Sequence, residues 1–512
     1  MFKYLVNNGI RKNFGLISIT IYLTIILGCI PNGKNDRPNI LFIFSDDHAY
    51  KAISAYGSNR NTTPNIDRLA NEGMIFNKCY VTNSICAPSR ATILTGKYSH
   101  ENGVLDNHTS AFDGNQQTFP KLLNKNGYQT AIVGKWHLKS TPTGFDYHNV
   151  LVGQGQYYNP DFLENGKMNK YYGYNTDVTT NIALDWMKNK RHEEKPFMMM
   201  LQYKAPHRQF TPNVTHAHKY KNEKIPEPNN LLDDYSNRAS PAKNQKQSIL
   251  NNMGVEDVKL KLPEPQRMKY HQKSVLKSSY KKSDEEYYNN QPEGDELVKW
   301  CYQRFIKDYI KCVDAIDENI GRVLEYLEES GLDENTIVIY SSDQSIFLGE
   351  HGWFDKRFMY EESFKMPFLI KWPNVIEPGS VNNYLTSNLD FAQTFLDIAG
   401  VAQPEDMQGK SFKNLLLGKN PSNWRKSVYY HYYEHGFHGV PRHEGVFDGR
   451  YKLINYYTLD EWELFDLEND PNEMNNVYNV KEYENILKEM KMKLHDKRTE
   501  YNVPENDYPP YY

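Results

Sequence analysis

Short apolar runs that end abruptly in polar residues recur along this chain. The runs at residues 39–44, 130–133, 197–203 and 336–340 are apolar without alternation. Strands that are buried on both faces of a parallel sheet have this pattern. Helical patterns lie between the runs, the longest over residues 301–327. The alternation of strand and helix predicts an α/β fold with a doubly wound, mostly parallel sheet.

Polar side chains follow each of these four runs directly. In doubly wound sheets, ligands bind beyond the carboxyl ends of the strands. We therefore expect four segments that are distant in sequence to bring their polar residues to one edge of the sheet. These residues are Asp46 and Asp47 after the first run, Lys135 and His137 after the second, His207 after the third, and Asp343 and Gln344 after the fourth.

The first and fourth of these groups supply only oxygen ligands. Asp46, Asp47, Asp343 and Gln344 suit a hard cation such as Ca²⁺ or Mg²⁺. Capping of the next helix is the alternative, and it would be the preferred interpretation for either pair alone. Two pairs from strands far apart in sequence favour a metal site.

The rest of the chain divides by composition. We expect residues 38–422 to form the main domain, interrupted by a hydrophilic insertion at about residues 212–300 that is solvated and partly helical. A lid over the site is the less favoured interpretation of that insertion. Short strand-like runs and a charged helix predict a smaller α+β subdomain over residues 423–512.

The N-terminal segment has the features of an export signal. A basic start precedes an apolar run at residues 16–27, which is short for a membrane span, and the run ends in Gly28 and Cys29. This predicts a lipoprotein signal peptide over residues 1–29, with a lipid on Cys29 and a linker at 30–37. An uncleaved anchor is the alternative. Both place the protein outside the cytoplasm, on the periplasmic or outer side of a bacterial membrane.

Charge and cysteine usage exclude other classes. The net charge of −4, from 60 basic and 64 acidic residues, gives no basic field for nucleic acid. A hydrophobic content of 39% over 512 residues is that of a globular chain with a sizeable core. Cys301 and Cys312 are eleven positions apart on one helical pattern and cannot bridge each other. No disulfide framework is evident.

Cys86 lies in a short segment with unusual chemistry, SICAPSRATILTGKY. Pro88 favours the first turn of a helix, where free N–H groups and the helix dipole attract an anion. Arg90 lies one turn further on. A buried structural cysteine is the usual alternative, but it would not need an arginine beside it.

The stretch CAPSRATILTGKY resembles the signature of the type I sulfatases, C-x-P-S-R followed by L-T-G. The resemblance extends from RPNILFIFSDDHAY to WELFDLENDPNEMNN, and it implies the alkaline-phosphatase/sulfatase-like fold. It also implies that Cys86 is oxidised to formylglycine during export, by a formylglycine-generating enzyme or an anaerobic sulfatase-maturing enzyme. The lysine in LTGK replaces a commoner arginine.

The resemblance implies roles for the residues that match the family's motifs. Asp46, Asp47, Asp343 and Gln344 would hold Ca²⁺ together with the modified Cys86, with Gln344 standing where many members have asparagine. The remaining roles concern sulfate and proton transfer: Lys135 and His137 (GKWHLK) at the sulfate and nucleophile, His207 (KAPHR) at the leaving group, and Lys356 (HGWFDKR) as the second sulfate-binding lysine.

This chemistry uses the two hydroxyls of the hydrated aldehyde. One attacks sulfur while the cation, Arg90 and the lysines neutralise the sulfate charge. His207 protonates the departing sugar oxygen, and His137 takes the proton of the second hydroxyl so that sulfate is expelled.

A histidine-rich stretch, YYHYYEHGFHGVPRHEG at residues 429–445, holds four of the 16 histidines. Spacing alone makes zinc conceivable. The sulfatase resemblance suggests sugar recognition by His438, Arg442 or His443, and a polar loop is the alternative.

Together these observations predict a sulfatase that hydrolyses sulfate esters on a sulfated polysaccharide or its oligosaccharides. The substrate is expected to be an algal polymer such as ulvan, or the N-acetylglucosamine 6-sulfate of glycosaminoglycans or mucins. The alternatives are a phosphonate or phosphodiester hydrolase of the same superfamily, and a non-catalytic surface lipoprotein that binds glycans.

Overall fold

The computed structural model describes residues 37–505. The predicted signal peptide with Cys29, and most of the predicted linker at 30–37, lie outside the described residues. In chain order the strands are β1 (Asn39–Ser45), β2 (Met74–Phe76), β3 (Cys79–Tyr80), β4 (Gln129–Gly134), β5 (Tyr147–Leu151), β6 (Asp161–Glu164), β7 (Lys167–Lys170), β8 (Phe197–Tyr203), β9 (Thr336–Ser342), β10 (Phe368–Lys371), β11 (Ser380–Asn382), β12 (Thr386–Ser387), β13 (Val428–Tyr432), β14 (His443–Phe447), β15 (Tyr451–Tyr456) and β16 (Glu461–Asp466).

A large mixed sheet has the order β11-β2-β10-β9-β1-β8-β4-β5-β6-β7. Its centre is parallel, because β1 pairs in parallel with both β8 and β9, and β4 pairs in parallel with both β8 and β5. Antiparallel pairs occur toward the margins, at β9–β10 and at β5–β6–β7. The four apolar runs are thus adjacent central strands, which confirms the predicted mostly parallel sheet.

Helices cover both faces of this sheet. The α-helices are α1 (Pro64–Asn71), α2 (Cys86–Thr95), α3 (Ser99–Asn102), α4 (Phe119–Lys125), α5 (Asn175–Asp185), α6 (Ser240–Asn244), α7 (Ile249–Asn252), α8 (Tyr270–Asn290), α9 (Gly294–Glu329), α10 (Glu361–Phe364), α11 (Phe391–Ile398), α12 (Lys413–Leu416) and α13 (Glu484–Glu500).

Alternate residues of β1 enter two separate cores. Phe42 and Phe44 pack with residues of α2, α4 and α11, whereas Leu41 and Ile43 pack with residues of α1, α5 and α9. Side chains on a strand alternate between faces, so an uninterrupted apolar strand buries apolar area on both sides. This is the doubly wound arrangement that the sequence predicts.

The C-terminal region contains a second, antiparallel sheet in the order β13-β14-β15-β16. Its residues Tyr429, Leu453 and Leu464 form a core with Met490 and Leu494 of α13. A smaller α+β subdomain is therefore present. The exact domain boundaries stay predictions.

The hydrophilic insertion is partly helical, as expected, with α6, α7 and α8. It also contributes fully buried side chains, among them Leu276 and Tyr280 of α8. Leu276 and Tyr280 pack with α9 in the same core as β1. The insertion is therefore a packed layer over α9 as well as a solvated surface.

Cys79, Cys86, Cys301 and Cys312 are all buried and free, in line with the absence of a disulfide framework.

Between residues 37 and 505, no helix combines the length and the apolar character that crossing a membrane requires.

Candidate active site

The ends of β1 and β9 place three carboxylates together. The two strands pair in parallel up to Ser45 and Ser342, so Asp46 and Asp343 leave the sheet at the same level. The amide of Asp47 donates to Oδ1 of Asp343 at 3.1 Å. Carboxylate oxygens of Asp46, Asp47 and Asp343 lie within 4.8 Å of one another. The expected convergence at the carboxyl edge of the sheet is observed.

Cys86 is the first residue of α2, and its thiol is fully buried beside this cluster. Four predicted site residues surround Sγ: Oδ1 of Asp46 at 3.4 Å, Nζ of Lys356 at 3.6 Å, Nε2 of Gln344 at 3.7 Å and Nζ of Lys135 at 4.0 Å. Groups from three strand ends and one loop thus meet at a single sulfur atom.

The Cys86 thiol itself is a poor nucleophile. Burial, together with the charge of Asp46, raises its pKa to about 12. The thiolate is the reactive form of cysteine, so a side chain held as a thiol has little nucleophilic power near neutral pH. The environment of Cys86 therefore does not resemble that of a cysteine-dependent hydrolase.

Three cations neutralise the three carboxylates. Each carboxylate has a basic partner whose side chain is at most a few per cent exposed. Arg90 makes two hydrogen bonds to Oδ2 of Asp343, at 3.0 and 2.8 Å, and also donates to Gln202. The pairs are Asp46 with Lys135, Asp47 with Lys356, and Asp343 with Arg90.

The carboxylates differ in their tendency to ionise. Burial and the charge of Asp46 raise the pKa of Asp343 to about 7. Burial would also raise the pKa of Asp46, but the positive charges of Lys135 and Arg90 hold it well below its usual range. The cluster is therefore one in which an added cation would favour full ionisation.

These residues fit a hard divalent cation. The donor set is made of carboxylate and amide oxygens, the ligands that Ca²⁺ and Mg²⁺ prefer. Nε2 of Gln344 donates to Asp47, while its Oε1 is buried and has no hydrogen-bond partner among the described residues. A buried acceptor without a partner is costly, and a cation beside the three carboxylates would satisfy it.

His207 presents one ring nitrogen to the cluster. Its Nδ1 lies 2.6 Å from the carbonyl oxygen of Arg208, which can only accept, so Nδ1 carries the hydrogen. Its Nε2 lies 3.7 Å from Oδ2 of Asp47. Burial holds the pKa of His207 well below its usual value. Nε2 is thus the atom that can exchange a proton with a bound molecule.

His137 also lies at the site, in a strained conformation. Its φ is +53°, in the left-handed region that non-glycine residues seldom adopt. Burial and the charge of Lys135 lower the pKa of its imidazole to about 2. Its Nδ1 is buried without a hydrogen-bond partner among the described residues. Strain and an unsatisfied polar atom together are features of functional positions.

A cavity of about 370 Å³ opens beside these groups, and we call it the main cavity. It is lined by Asp47, Lys356, His137 and His207, which the sequence predicts as site residues. It is also lined by Gln154, Asn107, His108, Lys139, Arg208, Phe210, Ile346, Phe354, Asp355, Arg357, Phe437 and His438.

Asp355 links two other lining residues of the main cavity. It accepts from Nη1 of Arg357 at 2.8 Å, and it lies 3.2 Å from Nδ1 of His438. His438 lines the main cavity, and its role in sugar recognition stays a prediction, whereas Asp355 and Arg357 are not among the residues that the sequence predicts. Both flank Lys356 in the stretch HGWFDKR, and adjacency to a predicted site residue was the available signal.

The structure does not bring Arg442 and His443 to the main cavity. Nε of Arg442 donates to the carbonyl of Tyr433 at 2.6 Å. His443 lies at the start of β14, fully buried, with its ring against Phe358 and Tyr432. Neither residue lines the main cavity, and both side chains are buried.

The histidine-rich stretch does not form a metal site in the described residues. Two groups of side chains in the described residues could hold a metal ion. One is Asp46, Cys86 and His207, and the other is Asp46, Asp47 and Asp343. His431 instead stacks on Tyr433 with ring centroids 3.7 Å apart.

Comparison with known families covers almost the whole described chain. The model of the family "Sulfatase" matches residues 38–401, and that of "N-sulphoglucosamine sulphohydrolase, C-terminal" matches residues 349–500. The second match includes the C-terminal sheet and α13.

Individual proteins agree with the family matches. An N-acetylglucosamine-6-O-sulfatase of Bacteroides thetaiotaomicron is 47% identical over 496 residues, which cover 93% of this chain and 88% of the relative. An ulvan-active sulfatase of Formosa agariphila is 25% identical, over 91% of this chain and 81% of the relative. A solved structure of a protein in complex with its substrate, D-glucosamine-2-N,6-O-disulfate, has a TM-score of 0.89 at 47% identity, over 92% of this chain and 99% of the other. The chain therefore belongs to the type I sulfatase family and is a sulfuric ester hydrolase.

Proposed function

We propose that this sulfatase hydrolyses the 6-O-sulfate ester of N-acetylglucosamine or N-sulfated glucosamine, in saccharides derived from a sulfated polysaccharide such as a glycosaminoglycan or mucin glycan. The observation that carries the proposal is the main cavity, which joins residues around Cys86 to the group of Asp355, Arg357 and His438. The 47% identity to an N-acetylglucosamine-6-O-sulfatase supports this sugar.

We propose that Cys86 is converted to formylglycine by a maturation enzyme. The buried thiol, with its raised pKa, is unsuited to attack by itself. The hydrated aldehyde would supply the attacking hydroxyl at this position. The residues within 4.0 Å of Sγ would then surround that hydroxyl and the sulfate.

We propose that Asp46, Asp47, Asp343 and Gln344 hold Ca²⁺, which when bound supplies positive charge against the sulfate oxygens. Lys135 adds a fixed positive charge on one side of Cys86 and Lys356 on another. Arg90 holds Asp343 in place through two hydrogen bonds. Preorganised charges of this kind stabilise the transition state because they need no rearrangement during the reaction.

The two histidines would divide the proton transfers. Nε2 of His207 faces the cluster from the main cavity, and in the imidazolium form, which the negative charge of a bound sulfate ester would favour, it can protonate the departing sugar oxygen. His137 is neutral because its pKa is lowered, so its unpartnered buried nitrogen is free to accept a proton from the side chain at position 86.

The sugar itself would be held by Asp355, Arg357 and His438. Asp355 contacts both Arg357 and His438. The carboxylate can accept hydrogen bonds from sugar hydroxyls, and the guanidinium and imidazole can donate to them. Arg442 and His443 would act from beneath, by holding the loop in place.

The other candidates have weaker support. The ulvan-active relative is 25% identical, compared with 47% for the amino-sugar sulfatase, so we place the amino sugar first. A non-catalytic lipoprotein does not agree with the family membership. Phosphodiester hydrolysis is retained as an outcome of the experiment below.

Sulfate release from a panel of defined compounds tests the proposal. The panel is N-acetylglucosamine 6-sulfate, its 3-sulfate isomer, ulvan oligosaccharides and a 4-nitrophenyl phosphodiester. Peptide mass spectrometry would first establish that Cys86 has been converted, and Cys86→Ala would serve as the inactive control. We expect release from the 6-sulfate. Turnover of ulvan or of the diester alone would contradict the proposal.

We also propose that the enzyme is exported and lipid-anchored at Cys29, facing the periplasm or the cell exterior. The basic start, the short apolar run and Gly28-Cys29 support this. Mass spectrometry of the native mature protein should show an acylated N-terminus at residue 29, and a protein that retains Met1 would contradict it.

A further inference from the structure

A second, smaller cavity adjoins the main cavity, and we call it the side cavity. Its volume is about 200 Å³. It shares three lining residues with the main cavity, namely Gln154, His207 and Arg208. The two cavities therefore lie side by side, with His207 at their boundary. One wall of the side cavity comes from the insertion, through Pro263, Glu264, Arg267 and Met268.

Lys204 is a buried cation that faces the side cavity. It follows β8 directly, it is only 5% exposed, and its Nζ lies 5.0 Å from the ring centroid of Tyr157. Its ammonium group makes no hydrogen bond or ion pair with any residue between 37 and 505. Buried lysines are normally paired, so an unpaired ammonium aimed into a cavity points to a ligand.

The other two basic residues of the side cavity already have partners. Arg267 pairs with Asp161 at 2.9 Å and also donates to the carbonyl of Asn159. Arg208 makes a two-point contact with Asp257 at 2.8 and 2.6 Å. Lys204 is thus the residue whose charge is available to a bound group.

The acidic residue of the side cavity makes no ion pair with Lys204. Glu264 lies at an exposed position, and although its negative charge raises the pKa of Lys204, it forms no ion pair with a described residue. Burial and the positive charge of Lys135 lower the pKa of Lys204 to about 8, so its ammonium form still predominates near neutral pH. An anion placed beside Lys204 would stabilise that form further.

We propose that Lys204 and the side cavity form a subsite for a second anionic group of the substrate, on the sulfated sugar itself or on the adjoining sugar. The group would be a sulfate, a sulfamate or a carboxylate. This second anionic group would lie on the other side of His207 from the ester that is cleaved, since His207 lines both cavities. The enzyme then favours a sugar that carries two anionic groups over one that carries only the cleaved sulfate.

This inference rests on the proposed 6-sulfatase activity, and three substrates test it. N-Acetylglucosamine 6-sulfate has no second anion. Glucosamine 2-N,6-O-disulfate has one on the same sugar. A disaccharide of 6-sulfated N-acetylglucosamine and a uronic acid has one on the adjoining sugar. Comparing kcat/KM for the three shows which source of the anion is recognised.

Lys204→Met removes the charge but keeps an apolar stem beside Tyr157. A charge-assisted hydrogen bond in a buried site changes affinity by about tenfold or more. We expect kcat/KM for at least one doubly charged substrate to fall at least about tenfold further than for N-acetylglucosamine 6-sulfate, mainly through KM. An equal fall for all three substrates, or no fall for any, would overturn the inference.

Glu264→Gln is expected to change the preference for the doubly charged substrate in the opposite direction. It removes a negative charge from the same cavity, so the doubly charged substrate should be turned over relatively faster than by the wild type. Structural damage would not improve selectivity. Lys139→Met, which removes a cation from the main cavity, is the matched control and should affect the substrates equally.

A binding measurement separates this inference from the proposed function. Glucosamine 2-N-sulfate carries the second anion without the 6-sulfate and requires no turnover. Calorimetric titration of this compound, and of the uronic-acid disaccharide without its 6-sulfate, should show weaker binding of at least one of them to Lys204→Met than to the wild type, and equal binding of both would overturn the inference. A wild type that binds this compound through Lys204 but releases no sulfate from any of the three substrates would contradict the proposed function alone.

Discussion

Nζ of Lys356 lies 3.6 Å from Sγ of Cys86 and at the same time contacts both carboxylate oxygens of Asp47. The same ammonium group therefore belongs to the acidic cluster and to the position of the nucleophile. Burial would lower the pKa of Lys356, but the negative charge of Asp47 raises it above its usual value, so this lysine stays charged.

Lys356→Met is therefore expected to reduce kcat/KM by about 100-fold or more, the usual effect of removing one preorganised charge from a transition state. Steady-state kinetics on N-acetylglucosamine 6-sulfate would measure it. Lys371→Met is the control, because Lys371 pairs with Glu72 at 2.6 Å away from the main cavity. A Lys356 variant with the activity of the wild type would remove this lysine from the site.

Much of the acidic cluster could be predicted because its acidic residues directly follow predicted strands in the sequence. Asp46, Asp47 and Asp343 each follow a run that is apolar on both faces, and such strands are adjacent in a parallel sheet. The pairing of Ser45 with Ser342 could not be read from the sequence, but it follows once β1 and β9 are neighbours.

The missed features depend on contacts between distant segments. β14 is not among the strands that the sequence predicts, since His443, Glu444 and Gly445 have no apolar alternation. It is a strand because β13 and β15 pair with it on both sides. Similarly, Asp355 contacts His438, which is more than 80 positions away in sequence. The spacing of residues along the chain cannot reveal such a pair.

Removal of a divalent cation should abolish activity and lower thermal stability. Three buried carboxylates and the unpaired Oε1 of Gln344 motivate this expectation. Elemental analysis would establish that the sample is metal-free, and the melting temperature would be followed as Ca²⁺ is added. A ligand that binds only the folded state at 100 times its Kd stabilises it by about 2.7 kcal/mol.

Asp343→Asn should weaken Ca²⁺ binding by about tenfold or more, because it removes a charged ligand from the cluster. Asp317→Asn is a matched control: Asp317 is buried and accepts from backbone amides at the start of α1, outside the cluster. Full activity and an unchanged melting temperature in a verified metal-free protein would be incompatible with the metal site.

Two glycines in one turn allow the role of His438 to be tested without replacing it. Gly436 and Gly439 both have φ near +70°, where alanine is strained by roughly 1 kcal/mol. A Cβ at Gly436 would meet nothing within 4 Å. A Cβ at Gly439 would lie 2.9 Å from backbone atoms of Asn244 and Lys246, and the amide of Lys246 donates to the carbonyl of His438.

Gly439→Ala should therefore displace His438 and raise KM for the sulfated sugar by about three- to tenfold, the effect of losing one neutral hydrogen bond or more. Gly436→Ala should share the conformational strain but leave KM near that of the wild type. Melting temperatures of the two variants would separate loss of stability from loss of substrate binding. Equal KM values for both variants would mean that the position of His438 is unimportant.

Replacing Cys86 by serine tests the proposed nucleophile most directly, and the expected result follows from counting hydroxyls. Serine offers one hydroxyl, which could still attack sulfur beside Lys135 and Lys356. The serine sulfate that results would have no second hydroxyl to expel the sulfate, so its hydrolysis would depend on slow attack by water. We expect Cys86→Ser to lose turnover and to accumulate an enzyme about 80 Da heavier, the mass of a transferred SO₃ group. Intact-mass measurement after incubation with substrate would show this, and peptide mapping of the untreated variant would confirm that serine is still present. The protein with an unconverted Cys86 should be nearly inactive, because burial keeps its thiol protonated. Turnover by the serine variant at the rate of the wild type would show that the second hydroxyl is not needed, and the proposed formylglycine mechanism would then be wrong.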